Sequence, residues 1–159
     1  MKLYDTSLKY FEEVLAYKDL QEQEDKNQAE IAICTSQMAG CLRELKRYDD
    51  AIKILEKSLQ TLIQKYGENN LITANCQNNL GLTYKKSGKF SKAEVLYLKS
   101  LKTRELMLSK DHPDIIASKH NLAELYMETD DKEKAEEFLV ETMEAIKRVE
   151  QSQQQQRSK

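Results

Sequence analysis

The sequence predicts an all-α fold, an array of about seven helices packed as antiparallel pairs, and three observations predict it. The chain has 159 residues but only four glycines and one proline, where average usage would give about 19. A strand-rich sandwich or barrel needs turn residues about every 8–12 positions, so long helices are what remains. Charged residues make up 33% and hydrophobic residues 40% of the chain, interspersed as on helices with one solvated face. The chain also repeats itself. A shift of 42 positions brings together Met38, Leu80 and Leu122, then Ala39, Gly81 and Ala123, then Leu42, Tyr84 and Tyr126. The same shift aligns Ala51, Ala93 and Ala135, then Leu55, Tyr97 and Leu139, then Ser58, Ser100 and Thr142, then Leu59, Leu101 and Met143. Large, small and large again at helical spacing make one face of a helix. The small columns recur where two helices of a hairpin approach closely, and the large residues beside them fill the groove.

The elements follow in order. Residues 4–22 carry Tyr4, Leu8, Phe11 and Leu15 on one face, and Tyr4-Asp5-Thr6-Ser7 resembles Tyr48-Asp49-Asp50-Ala51. This leading helix reads as half a repeat or a cap. Helix pairs are then predicted at about 27–46 with 49–66, 70–87 with 91–109, and 113–129 with 132–150. Asp49-Asp50 and Asp130-Asp131 fall at helix starts, where carboxylates suit the positive end of the helix dipole. Gly67 stops the second helix of the first pair, and Gly88 suits the left-handed residue that ends a helix. Ser91-Lys92-Ala93-Glu94 has the form of a capping box, with Phe90 and Val95 as its hydrophobic staple, and predicts a helix restarting at about Lys92. Pro113 fits a first helical turn. The units are thus 1–26 (leading helix), 27–68, 69–110, 111–150 and a Gln-rich polar tail at 151–159, which either frays or prolongs the last helix, since Gln is a good helix former.

These columns resemble the tetratricopeptide repeat (TPR). The 42-residue period exceeds the usual 34 or so. Asn78-Asn79-Leu80-Gly81-Leu82-Thr83-Tyr84, His120-Asn121-Leu122-Ala123-Glu124-Leu125-Tyr126 and Asp111-His112-Pro113-Asp114 are similar to the long-helix repeats of kinesin light chains. The resemblance covers residues 27–148 well and 4–26 weakly, and implies a right-handed superhelical α-solenoid. The sequence departs from the family pattern at Lys132, where Tyr48 and Phe90 are aromatic, and at Thr35, Gln77 and Lys119, which replace an early aromatic. The first repeat also carries Gln37 in place of Asn.

Composition narrows the function. With 25 basic and 27 acidic residues the net charge is −2, so the basic excess that phosphate backbones demand is lacking and nucleic acid is not expected as a partner. The start has no apolar signal core and no apolar run is long enough for a bilayer. No membrane partner is expected, and the expected location is cytoplasmic, with association to the cytoskeleton open. Cys34 and Cys41 lie seven positions apart on one predicted helix, about 10 Å of rise, so reduced thiols serving as small hydrophobes are expected rather than a disulfide. His112 and His120 are the only histidines and have no ligand set or nucleophile motif around them. The Glu residues of 133–144 are mixed with Lys as on a solvated helix face. No enzyme activity, metal or cofactor is expected.

A stacked array of helix pairs has a curved surface that suits protein binding. The resemblance implies an adaptor or scaffold whose first helices line a concave face and hold an extended peptide or helix of a partner. That face would offer Gln37 and Arg43 with Ser36 and Gly40, then Asn75, Asn78, Asn79, Lys85 and Lys86, then His120, Asn121 and Glu124 with Ala117. Gln37, Asn79 and Asn121 share one column, and an amide can both donate to and accept from a peptide backbone. The alternative for these amides is bonding within the array or to water. The competing role is a structural subunit of a multiprotein complex, docked by its terminal helices through Tyr10, Tyr17 and Phe138 into a cytoskeletal, ciliary or organelle assembly. TPR domains that grip acidic C-terminal tails of heat-shock chaperones resemble a clamp of lysines, arginine and asparagines on this face; the matching positions here are Ser36, Gly40, Asn79, Ala117 and Asn121, and only Asn79 agrees. Without those cations the charge-assisted bonds to a terminal carboxylate are lost. We therefore predict that such a tail peptide does not bind; low-micromolar, salt-sensitive affinity by calorimetry would contradict this.

Overall fold

The computed structural model describes residues 26–157 together with Tyr4, Thr6, Leu8, Lys9 and 11–13. The predicted docking residues Tyr10 and Tyr17 lie outside the described residues. Six bounded helices follow one another: α1 (Lys26–Glu44), α2 (Tyr48–Tyr66), α3 (Leu71–Lys86), α4 (Phe90–Met107), α5 (Pro113–Glu128) and α6 (Lys132–Arg157). The described residues between 4 and 13 are helical as well, and Leu8 is buried in the common core with Phe11 packed against it. No strand occurs among the described residues.

The turn inside each pair is built three times on one plan. Lys46, Gly88 and Asp130, each 42 positions from the next, all have left-handed φ, at 60°, 77° and 60°. The residue after each donates its backbone N–H back to the last turn of the helix: Arg47 to Leu42 and Lys89 to Tyr84 at 2.9 Å, and Asp131 to Tyr126 at 2.9 Å. This is the Schellman closure, which satisfies orphan carbonyls of the helix end. Glycine at 88 takes the conformation without strain, whereas Lys46 and Asp130 hold it at a steric cost. The tight turn also corrects the expected start of α4. Lys89 carries the chain straight into the helix, its carbonyl accepting from Ala93 N–H at 3.2 Å. The helix accordingly begins at Phe90, Lys89 makes no side-chain cap, and Ser91 lies inside the first turn, so the capping box does not form. Asp131 does cap α6, its Oδ1 accepting from Lys134 N–H at 3.3 Å.

The connections between pairs use a second device. Asn70 Oδ1 accepts from Ile72 N–H at 2.8 Å, and His112 Nδ1 accepts from Asp114 N–H at 3.1 Å. These side chains stand one period apart at the starts of α3 and α5, where side-chain acceptors satisfy exposed N–H groups. Pro113 follows as the first helical residue of α5. Gly67 ends α2 at φ 83°, ψ 169°, a region open essentially to glycine alone. At the far end the polar segment prolongs α6 as far as Arg157.

Each helix packs on the next. The first helices α1, α3 and α5 also touch one another, whereas among the described residues α2, α4 and α6 do not. The array therefore bends toward its first helices, and these line the inner face. On the outer side α2 and α4 splay around a cleft of about 730 Å³ lined by Leu59, Ile63, Tyr84, Val95 and Leu96. Tyr84 and Tyr126 span successive repeats by donating their hydroxyls to Glu56 and Glu94. Burial, reinforced by the neighbouring carboxylate, pushes the Tyr84 phenol up to about 12.

The pairs close on the small columns. Ala39, Ala51, Ala93 and Ala123 have no exposed surface, and neither have Leu55 and Tyr97. The middle repeat is the tightest. A Cβ at Gly81 would stand 2.9 Å from Tyr97 Cδ1 and 3.0 Å from Cε1, closer than packed side chains come. Repeats one and three hold the matching pairs Ala39 with Leu55 and Ala123 with Leu139, where alanine faces a smaller partner. Gly81→Ala is predicted to lower unfolding free energy by about 1–2 kcal/mol, overpacking outweighing the gain in helix propensity. Urea denaturation of a double-mutant cycle checks the cause: in a Tyr97→Leu background the same change becomes neutral or stabilising.

Candidate functional site

The inner face is polar because α1, α3 and α5 turn the same stripe of residues away from the core. Along it runs a ladder in register with the repeat. Asn79 Nδ2 donates to Ser36 Oγ at 3.3 Å, and Asn121 Nδ2 donates to Asn78 Oδ1 at 3.1 Å. Both donors and both acceptors are one period apart, so each repeat reaches back to the one before it. No described residue donates to the side-chain oxygens of Asn79 and Asn121, which leaves both with acceptor capacity. Between α1 and α3 lies a recess of about 330 Å³ lined by Ser36, Gln37, Asn75, Asn78, Asn79 and Arg104.

Arg104 is a member of this recess that the sequence did not point to. It comes from α4, a second helix, and is 6% exposed. Its Nη1 donates to Ser118 Oγ at 2.6 Å and Asp114 O at 3.1 Å, and its Nη2 donates to Asn75 Oδ1 at 2.6 Å. It ties α3, α4 and α5 together and holds the Asn75 amide in place. Burial disfavours its charge and lowers its pKa. The position in the other repeats is Leu62 and Ile146, so no column marked it as polar.

The remaining predicted groove residues divide by environment. Gln37, Lys86, His120 and Glu124 are exposed on the inner helices, and Asn78, Asn79 and Asn121 are half-buried. Lys85 is not available to a partner as its pattern suggested. Its side chain is 1% exposed and its ammonium sits 2.6 Å from Glu124 Oε2 and 3.6 Å from Glu128 Oε1. The hydrogen bond from Lys85 holds the Glu124 carboxyl below the ordinary range. His120 Nε2 stands 3.4 Å from the other Glu124 oxygen. Arg43 keeps 15% of its side chain in solvent. Phe138, expected at a docking end, is half-buried and stacks on Tyr126 with ring centroids 5.8 Å apart. The apolar residues that α6 does expose are Val140, Met143 and Ile146. Leu59 and Leu62, and Leu101 and Arg104, hold the columns of Met143 and Ile146 in the earlier repeats and are partly or fully buried there.

Among the described residues no group of His, Cys, Asp and Glu could hold a metal ion, and no helix is long and apolar enough to cross a membrane. Cys34, Cys41 and Cys76 are free thiols, and burial pushes that of Cys76 up to about 11.

Comparison with known proteins bears on the fold. Two family profiles, each described as tetratricopeptide repeat, match residues 29–106 and 115–152, together well over half of the chain. No curated protein matches it in sequence. Among solved structures it is similar to BtubC (BKLC) from P. vanneervenii, with TM-score 0.81 and 19% identity over 94% of this chain and 59% of that one. It is also similar to a variant of nearly identical TPR-like repeats assigned to a Podosopora anserina kinesin light chain, with TM-score 0.77 and 18% identity over 87% of this chain and 65% of that one. A third is the apo form of RapI, with TM-score 0.74 and 18% identity over 91% of this chain and 38% of that one. The chain thus spans less than two thirds of the length of each, and at these identities the likeness is one of fold.

The Lys85–Glu124 pair sets a pH dependence. A carboxyl whose folded pKa lies below its unfolded value contributes stability that is complete above the unfolded value, 4.5 in this case, and is lost as pH falls through the folded one. Glu124→Gln is predicted to be less sensitive to acidification than the native chain below about pH 4.5. Urea midpoints measured from pH 7 to pH 3 check this.

Proposed function

Because the chain belongs to the tetratricopeptide repeat family, and so is a protein-interaction module in general kind, we propose that its inner face holds an extended segment of a partner protein. The reading makes the chain a non-catalytic adaptor or scaffold, working in the cytoplasm. One observation carries it: the amide ladder leaves the side-chain oxygens of Asn79 and Asn121 unengaged on the inner face, with Gln37 exposed beside Asn79 in the recess between α1 and α3. Neighbouring packed helices stand about 8–10 Å apart. An extended chain rises about 3.3 Å per residue, so every third residue of a bound segment would meet the next amide. Backbone contacts of this kind grip a segment without reading its sequence, and side chains around the recess add the selectivity.

A second reading is a subunit docked by its end. It is favoured by Met143 and Ile146, 57% and 42% exposed on α6 in columns that earlier repeats cover. Affinity purification with mass spectrometry separates the two. Groove binding predicts that Gln37→Ala combined with Asn79→Ala and Asn121→Ala weakens partner capture about tenfold or more while helicity persists, with Met143→Glu and Ile146→Glu harmless. The opposite pattern assigns end docking.

A further inference from the structure

The buried Arg104 is a cation without an anion of its own. Its guanidinium finds Ser118 Oγ, Asp114 O and Asn75 Oδ1, and all of these acceptors are neutral. The Asp114 carboxylate acts on it through charge at longer range, and lies half in solvent, 4.0 Å from His112 Nδ1. A buried charge that meets no opposite charge is unfavourable. Stacking does not require it, since Leu62 fills the same column in the first repeat with no exposed surface.

This cation stands at a cavity. Arg104 lines the recess of about 330 Å³ between α1 and α3 together with Asn75 and Asn78, and among the described residues the recess carries no acidic side chain. The two amides are oriented by the bonds they already make. Asn75 Oδ1 is taken by Arg104 Nη2 at 2.6 Å and Asn78 Oδ1 by Asn121 Nδ2 at 3.1 Å, so each has its Nδ2 left as a donor. Asn75 is exposed, and Asn78 Nδ2 is not among the buried atoms that lack a partner, so an entering group can reach both. The two residues stand three apart on α3 and are neighbours on one face. Ile33 and Ile72 wall the recess and suit the methylene stem of an acidic side chain.

We propose that this recess is a subsite for the side-chain carboxylate of one Asp or Glu in the segment that the inner face holds. Asn75 and Asn78 donate to the carboxylate oxygens, and Arg104 behind Asn75 supplies the opposite charge. This rests on the groove reading, whose amides Gln37 and Asn79 line the same recess, and names the chemistry of its partner. The set is confined to the middle repeat. Ile33, Ser36 and Leu62 hold the three columns in the first repeat, and Ala117, His120 and Ile146 hold them in the third. One acidic residue is therefore read, at one place along the segment.

The test is a random peptide library displayed on phage and selected on the full chain, with sequencing of the winners. Selected peptides are expected to share Asp or Glu at one position, and exchanging it for Asn or Gln lowers affinity about tenfold or more. Asn75→Asp and, independently, Asn78→Asp keep the acceptor oxygens that Arg104 and Asn121 use. Each abolishes that difference, because it removes a donor and puts a negative charge in the recess. Asn75→Asp also melts higher than the native chain at neutral pH, because Arg104 gains a counter-ion. An acidic preference that survives both substitutions, or an Asn75→Asp chain that melts no higher, overturns the subsite. Winners that depend on Gln37 and Asn79 but share no acidic position overturn it as well and leave groove binding standing. Winners indifferent to every one of Gln37→Ala, Asn79→Ala, Asn75→Asp and Asn78→Asp, or no winners, overturn both readings.

Discussion

Everything in this array depends on how closely the two helices of each pair approach. The distance is set where side chains are smallest, at Ala39 with Ala51, Gly81 with Ala93 and Ala123 with Ala135, and it is kept by the large residues that flank them. Because interiors pack as densely as organic crystals, a pair that closes here presents its outer residues in one fixed register. The next pair then stacks in the same way, 42 positions later. The left-handed residues at 46, 88 and 130 belong to the same constraint. A close pair leaves room only for a short reversal, and the Schellman closure makes that reversal so tight that even Lys46 and Asp130 accept an unfavourable φ.

From that geometry the inner face follows. First helices that touch one another bring equivalent residues into hydrogen-bond range, and the Asn79–Ser36 and Asn121–Asn78 bonds are one interaction drawn twice. The ladder joins the repeats and leaves amide acceptors on the same face. Charge breaks the repetition. Arg43, Lys85 and Met127 occupy one column, yet Lys85 is neutralised by α5, Arg43 is left without a carboxylate from α3, and Met127 is exposed and apolar. A face made by repetition thus acquires a distinct chemistry at each repeat.

Legibility tracked whether a signal was local or periodic. The small and large columns carried the pairing, and Gly88 and Pro113 announced their junctions through backbone restrictions that act at a single residue. Ser91 misled because a capping box reports a preference for where a helix starts, while the reversal at 88–89 imposed the start two residues earlier. Lys46 and Asp130 gave no local sign of a left-handed conformation; only their distance from Gly88 could have revealed them. Asn70 and His112 could have been found as caps by the same shift.

The candidate site was legible as a stripe and not as a set of interactions. The sequence by itself determined the all-α class, the 42-residue period and the helix pairing, because these follow from spacing along the chain and from side-chain size. Only the tertiary structure decided that Lys85 is buried against Glu124 and Glu128, that Arg104 crosses from a second helix to hold Asn75, and that the Tyr97 ring passes beneath Gly81. Those outcomes join residues far apart along the chain through the angle between stacked pairs. Long flexible or bulky side chains reach across that angle, and where they stop is set by the space their neighbours leave.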